Sequence, residues 1–271
     1  MSSVPLSTSS PASMYNGFSD RRLYVIICLF LILGGLAMND VLVYTPDSAR
    51  YLVWAKSLAQ FKGFEDLSIP EPFHYVVHAP LYAVLLVPAA LLAPDNIVAA
   101  KALTLVMGSG LLPLFFLWMR GLSDSPAPIL GTAILAVHPL MLLFSHQILS
   151  EIPFAMALLG TLILVDRIVS EKGNSRRDEL ILACILAGAA LLREIGITLV
   201  FATAIFFGAH RNFRRALVLL LIPLAVYGIW FIRNEILVAG VEHPPLRNSE
   251  IFTLHYFTPR SAPLLEEFLA R

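Results

Sequence analysis

The sequence predicts an all-α, polytopic membrane protein, and three observations predict it. Hydrophobic residues make up 58% of the 271 positions and charged residues only 14%, where a soluble domain carries about a quarter, and mean hydropathy is +0.77. The apolar residues gather in runs near the length a membrane-crossing helix needs, about 20 residues. Lys and Arg collect in the short polar breaks between those runs. The formal net charge is zero, so nothing in the bulk charge points to nucleic acid.

The elements follow in order. Positions 1–22 are Ser- and Pro-rich and read as a disordered cytoplasmic tail ending in Arg21 and Arg22. The first apolar run, 23–43, lacks a small-residue cleavage site after it and reads as an uncleaved signal anchor. Further runs occupy 76–93, 97–119, 127–149, 152–169, 180–192, 195–209 and 216–236. Between the first two lies a loop, 40–75, rich in Asp and Glu, with an amphipathic helix expected over 46–61. Thr45 is placed to cap that helix, Pro46 suits its first position, and Tyr51, Trp54, Ala55 and Leu58 recur at helical spacing. Cys28 and Cys184 both sit in apolar runs and read as small buried hydrophobes without a disulfide or metal role.

Orientation follows from the positive charges. Arg21/Arg22, Arg167/Lys172/Arg176/Arg177 and Arg211/Arg214/Arg215 are assigned to the cytoplasm, which puts 40–75 outside. Parity then requires 127–149 to leave and return. His138-Pro139 breaks it, since proline removes a helical hydrogen bond. Read as a hairpin, it brings the count to about nine transmembrane elements, with Arg120 left on the outer side against the charge preference. A single straight helix with a different parity upstream is the alternative. The module spans 23–236, and 237–271 forms an outer-face tail.

On this topology the polar groups in or beside the spans gather at one face: Asp47, His74, His78, His146, Glu151, Arg193, Glu194 and Arg233 among them. An ionised group in the hydrocarbon costs about 2.5–3.5 kcal/mol at mid-span, so such convergence points to a hydrated pocket. Asp47 falls in the first helical turn, where the helix dipole favours its charge; capping alone also accounts for it. His74 and His78 stand four apart, a spacing open to a metal, but Pro80 places both in the loop before the helix, suited to hydrogen bonding with phosphate or with the loop itself. Glu151 heads a span and would serve as a helix-end residue. Arg193 and Glu194 point in different directions on a helix, so each wants its own partner.

Together these residues resemble the GT-C superfamily of membrane glycosyltransferases, the protein-mannosyltransferase and aminoarabinose-transferase type above all. The likeness rests on Asp47 with Tyr51 and Ala55 behind it, on His78-Ala79-Pro80-Leu81-Tyr82, on Glu151 heading a later span, and on the Arg193–Gly196 and Arg233-Asn234–Gly240 elements. The resemblance implies a polyprenyl-phosphate-linked sugar donor and a lipid, glycan or protein acceptor reaching the site from the outer face. It implies Asp47 as general base, Arg193 and Arg233 on the departing phosphate, and Glu151, His78, Tyr51 and His74 as substrate-binding groups. A divalent cation, held by Asp47 and Glu151, is left open. Bacterial inner membrane is the expected location, with the N-terminus cytoplasmic. Family members are typically longer, so the chain reads as an N-terminal module. A transporter or lipid flippase is the rival class, but no internal repeat is evident and the charges lie towards one face. A non-catalytic relative is the third reading.

Overall fold

The computed structural model describes residues 20–42, 46–68, 74, 76, 78–123, 125–170 and 175–239. The expected disordered tail (save 20–22), the expected cap Thr45, Lys172 and the outer tail beyond 239 lie outside the described residues. Among the described residues the chain forms ten helices, with one isolated bridge between Glu65 and His74. They are α1 (Arg21–Leu36), α2 (Pro46–Ala59), α3 (Leu81–Leu92), α4 (Ile97–Leu122), α5 (Ala127–Val137), α6 (Pro139–Ser145), α7 (Glu151–Val169), α8 (Ser175–Leu192), α9 (Gly196–Ala209) and α10 (Phe213–Val238).

Local chemistry sets several boundaries. The Asp20 carboxylate accepts from Arg22 N at 3.0 Å and caps α1, and the Asn96 side chain accepts from Ala99 N at the head of α4. At 127–149 the helix breaks where proline requires it. His138 is extended (φ −66°, ψ 131°), as the residue before a proline prefers, and its Nδ1 accepts from Leu140 N at 3.3 Å.

Helices α4, α7 and α10 are long and apolar enough to cross a membrane, and α5 with α6 makes a fourth if the bent pair is one span. The chain is therefore a helical protein built for a membrane, but nine transmembrane elements are not supported. Two expectations change. The axes of α5 and α6 turn by only 58°, so 127–149 bends without reversing and is not a hairpin. The run 76–93 holds a helix of only 12 residues, α3, which starts at Leu81 directly after Pro80 as that proline leads one to expect, about 18 Å at 1.5 Å per residue and short for a span.

The contacts explain both changes. Helix α3 lies along α2 in the same direction. Tyr51 meets Tyr82 edge-on near their starts, with ring centroids 4.9 Å apart, and near their ends Lys56 reaches Asp95 at 2.6 Å. Helix α4 runs back antiparallel to α1, with Gly34 against Leu105 and Gly108 against Phe30. Helix α5 is antiparallel to α4, since Gly131 faces Phe115 and Met119, and α6 ends with His146 Nε2 at 2.7 Å from Gly34 O. Helices α7 and α8 are antiparallel, joined by Arg193–Glu151 at one end and Arg167–Asp178 at the other. Helix α10 touches Glu179 through Arg215 at its start and Val76 through Asn234 near its finish.

One end of the bundle thus gathers α2, α3, Glu151, Arg193 and Asn234. The opposite end gathers Arg21, Arg22, Arg120, Arg167, Arg176, Arg177, Arg211, Arg214 and Arg215. Arg120, which a hairpin left among the acidic loops, joins the other arginines once α3 stays at the far end. Seven rods (α1, α4, the bent α5–α6, α7, α8, α9 and α10) alternate in direction between the two ends.

Three apolar clusters fill the bundle. Phe30, Leu105, Leu112, Met141 and Ile152 join α1 to α4, α6 and α7. Leu164, Leu186, Val200, Phe207 and Leu219 join α7 to α10. Tyr51, Trp54, Tyr82, Leu86 and Ile148 seat α2 and α3 on the rest. Lipid tails are as apolar as leucine, so close packing and hydrogen bonds of about 0.6–2 kcal/mol each hold such helices. Two such bonds are Tyr82 Oη with Thr104 Oγ1 at 2.8 Å and Asn234 Nδ2 to Val76 O at 3.1 Å. Cys28 and Cys184, expected in the interior, are exposed on the outside of the bundle, where a small apolar side chain suits lipid.

Candidate functional site

The site is built at the end of the bundle opposite Arg21, Arg120, Arg167 and Arg215. Asp47 stands in the first turn of α2, and His78 lies in the segment before α3. Their side chains meet with Asp47 Oδ1 2.9 Å from His78 Nε2. His78 is mostly enclosed and Asp47 half exposed (49%), so the carboxylate keeps a face open. Pro80 stops α3 short of the histidine, which leaves the ring free to turn to α2 rather than lie on a helix.

A second pair comes from the far half of the chain. Arg193, just past the end of α8, donates from NH1 to Glu151 Oε1 at 2.5 Å. Glu151 opens α7 as expected, but its carboxylate goes to this arginine and not to its own helix end. Its other oxygen, Oε2, is buried without a hydrogen-bond partner.

Gly196 explains why Arg193 can be where it is. A Cβ there would lie 2.2 Å from Ala189 O and 2.3 Å from the Ala189 carbonyl carbon. The backbone of α9 therefore starts hard against the last turn of α8. Gly196 N donates to Arg193 O at 2.8 Å, closing the turn. The arginine–glycine spacing is a packing requirement that aims Arg193.

Both pairs border one cavity of about 270 Å³, lined by Asp47, Tyr51, His78, Ser150, Arg193 and Glu194 with Ala79, Leu192 and Ile195. Glu151 stands outside the lining, held on Arg193. Tyr51 lies between the pairs. Burial raises its phenol above the ordinary tyrosine range; the Ser150 side-chain hydrogen bond pulls it back in part, Asp47 and Glu151 push it up, and Arg193 draws it down. At neutral pH it is an O–H donor held at the cavity wall.

The placement of the expected residues is uneven. Asp47, Tyr51, His78 and Arg193 line the cavity, with Glu151 directly behind. Arg233 does not join them. Its guanidinium lies over Trp230 at 4.5 Å and Phe64 at 5.4 Å, and NH1 donates to Asn234 Oδ1 at 2.8 Å. His74 is bridged to Glu65 in the loop, with Nδ1 buried and unpartnered, and is not in the lining. Among the described residues no group of three or more His, Cys, Asp or Glu side chains is placed to hold a metal ion; Asp47 and Glu151 each face a basic partner instead. Ser150 escaped the sequence reading because a serine before a helix looks like a cap.

Lys101 anchors the segment after α1. It is buried, and its three N–H donors meet Val41 O at 2.6 Å, Asn39 Oδ1 at 2.9 Å and Asn39 O at 3.1 Å. The ammonium is thereby satisfied without a carboxylate, and it ties the strand of chain after α1 to α4 just ahead of α2.

No protein-family model, curated protein or solved structure matches this chain. What the fold and site define is a helical membrane bundle with a polar cavity, bordered by two acid–base pairs, at one end.

Proposed function

We propose that the chain is a membrane glycosyltransferase that moves a sugar from a polyprenyl-phosphate donor to an acceptor hydroxyl. The observation that carries the reading is one cavity lined by Asp47, His78 and Arg193, with Glu151 held on Arg193 behind it, at one end of the bundle. The reaction asks for a base beside the acceptor and a cation beside the leaving phosphate. The cavity offers one of each, from parts of the chain far apart in sequence.

In this reading Asp47 takes the acceptor proton as the acceptor oxygen bonds to the anomeric carbon. The anomeric carbon–oxygen bond to phosphate breaks, and the electron pair leaves on the polyprenyl phosphate. His78 donates from Nε2 to Asp47 and fixes the orientation of its carboxylate. Arg193 neutralises the phosphate, a planar donor set suited to that anion. Tyr51 offers its hydroxyl to a sugar or phosphate oxygen. The bilayer dissolves the polyprenyl tail.

The positive-inside preference puts the arginine end in the cytoplasm, and with it the N-terminus. The cavity then faces the periplasm of a bacterial inner membrane. The acceptor, whether lipid, glycan or protein, arrives from that side.

The test is turnover by the purified chain in proteoliposomes supplied with a panel of polyprenyl-phosphate sugars, reading release of polyprenyl phosphate. Release that depends on the protein and disappears in Asp47→Asn, with membrane insertion unchanged, is the expected result. Absence of release with every donor, together with no donor binding, sinks the proposal.

A further inference from the structure

A second cavity, of about 390 Å³, opens further along α2, between α2, α3 and the start of α4. That volume lies within the range of small-molecule sites, about 300–1,000 Å³. Its wall is apolar: Leu52, Leu86 and Ile97 stand among five alanines, Ala55 from α2, Ala89, Ala90 and Ala93 from the α3 end, and Ala100 from α4. Larger side chains at these places would fill it. Its mouth is polar. Lys56 and Asp95 border it and meet each other at 2.6 Å, exposed by 41% and 74%.

The surroundings say what medium the mouth meets. Phe61, just past α2, is 97% exposed, and Leu91 and Leu92, at the tip of α3, are 59% and 87% exposed. Phe61 follows Lys56 past the end of α2, and Leu91 and Leu92 precede Asp95 at the end of α3, so exposed apolar side chains and the two charges share the same segments. Such a rim suits the boundary between acyl chains and headgroups, where apolar anchors are buried and charges stay wet.

We propose that this cavity binds one acyl chain of a phosphoethanolamine lipid, with the headgroup on the Lys56–Asp95 pair. The headgroup carries a phosphate and a primary ammonium a few atoms apart, the complement of a lysine next to an aspartate. Lys56 donates to the phosphate and Asp95 accepts from the ammonium. An anionic headgroup gains little, because Asp95 offsets Lys56. A choline headgroup has no N–H for Asp95. The exposed ion pair is itself worth no more than about 1 kcal/mol, so exchanging it for two pairs with the lipid is easy. Helix α2 borders both cavities, with Asp47 and Tyr51 on one and Leu52, Ala55 and Lys56 on the other. Lipid in the second cavity therefore braces the helix that carries Asp47.

The experiment is native mass spectrometry of the delipidated full chain in detergent, incubated with an equimolar mixture of dioleoyl phosphatidylethanolamine, phosphatidylglycerol and phosphatidylcholine. The first bound lipid is expected to be phosphatidylethanolamine, enriched about tenfold over the other two, equivalent to about 1.4 kcal/mol. Ala90→Phe fills the cavity and should remove that enrichment. Lys56→Ala with Asp95→Ala keeps the cavity and should let the three lipids bind alike. Equal binding of the three lipids by the unmodified chain overturns the proposal. Undiminished phosphatidylethanolamine preference in the double variant does so too, and it decides the matter even if Ala90→Phe fails to fold. Neither reading involves a sugar donor, so the outcome is separable from that of the transfer assay.

Discussion

Arg193 NH1 and Glu151 Oε1 are 2.5 Å apart although the residues lie far apart in the chain, and the pair closes the end of α8 onto the start of α7. Removing either partner leaves the other incompletely matched. Glu151→Gln keeps the shape and a neutral acceptor, whereas Arg193→Ala strands a carboxylate whose second oxygen is already buried and unpartnered. Since both side chains are about a third exposed, the structural loss in Arg193→Ala should be about 1 kcal/mol. Phosphate binding should suffer more than stability. Donor affinity is expected to fall about tenfold to a hundredfold in Arg193→Ala, the loss of a charge-assisted contact of about 1.5–3 kcal/mol, and Arg193→Lys should recover part of it. Equilibrium binding of a polyprenyl-phosphate sugar beside a thermal melt measures both.

The Asp47–His78 contact predicts an unequal pair of variants. If the chain is the proposed glycosyltransferase, Asp47→Asn removes its base and should lower transfer by about 10²–10⁴-fold, the usual worth of a general base. His78→Gln retains a side-chain donor for Asp47 and should cost about tenfold, one hydrogen bond of about 1.4 kcal/mol. Donor affinity should change little in either. If His78→Gln proves as damaging as Asp47→Asn, the histidine itself handles the proton.

Much of this site was legible in the sequence, and the reasons differ by residue. Asp47, Tyr51, His78, Glu151 and Arg193 could be gathered at one face because charges near span ends are costly and few. Their pairing was not legible, since it depends on the order of helices around the bundle. Arg233 was misplaced for a physical reason: an arginine beside aromatics finds its partner in their faces, and Trp230 and Phe64 are brought together only by the fold. The apolar run at 76–93 has the composition of a span, but Pro80 delays the helix and α2 takes its flank. The arginine at 120, out of place under the nine-element reading, was the signal against it.

Tyr51 gives a pH dependence. Its folded pKa is raised above the ordinary 10.0, chiefly by burial. A tyrosine with a raised folded pKa contributes stability fully present below its unfolded pKa, about 10, and lost as pH climbs through the folded value. The unmodified chain should therefore lose thermal stability more steeply above pH 10 than Tyr51→Phe does, while the two differ by no more than the Ser150 bond at pH 7. Parallel melts over that window, with absorbance titration of the phenols, check the sign.

Gly196 should be the least tolerant position near the site. A methyl group at 2.2 Å from Ala189 O cannot be absorbed by a side-chain rotation, because the obstacle is backbone. Gly196→Ala must push α9 away from α8 and is expected to cost about 3 kcal/mol or more, at the upper end for overpacking. It should also disturb Arg193, whose carbonyl accepts from Gly196 N. Gly35 has open space where its Cβ would be, so Gly35→Ala is the control. A melting temperature for Gly196→Ala close to that of Gly35→Ala contradicts the close approach.

The placement of α3 beside α2 makes the last prediction, about topology. With α3 lying along α2, α4 starts at the site end and carries Arg120 to the end that holds Arg21 and Arg214. If α3 crossed the membrane instead, Asp95 would lie in the cytoplasm and Arg120 would emerge on the outer face, with the acidic loop. Single cysteines separate the two cases in a background of Cys28→Ser and Cys184→Ser. Arg120→Cys and Arg214→Cys should react with a membrane-impermeant maleimide only in inverted vesicles, and Asp95→Cys only in right-side-out ones. The three substitutions lie at exposed or half-exposed positions, so labelling needs no disruption of the bundle. Reaction of Arg120→Cys only in right-side-out vesicles, with Asp95→Cys only in inverted ones, would return α3 to the membrane. It would also separate α2 from the helix that now orients Asp47 towards His78.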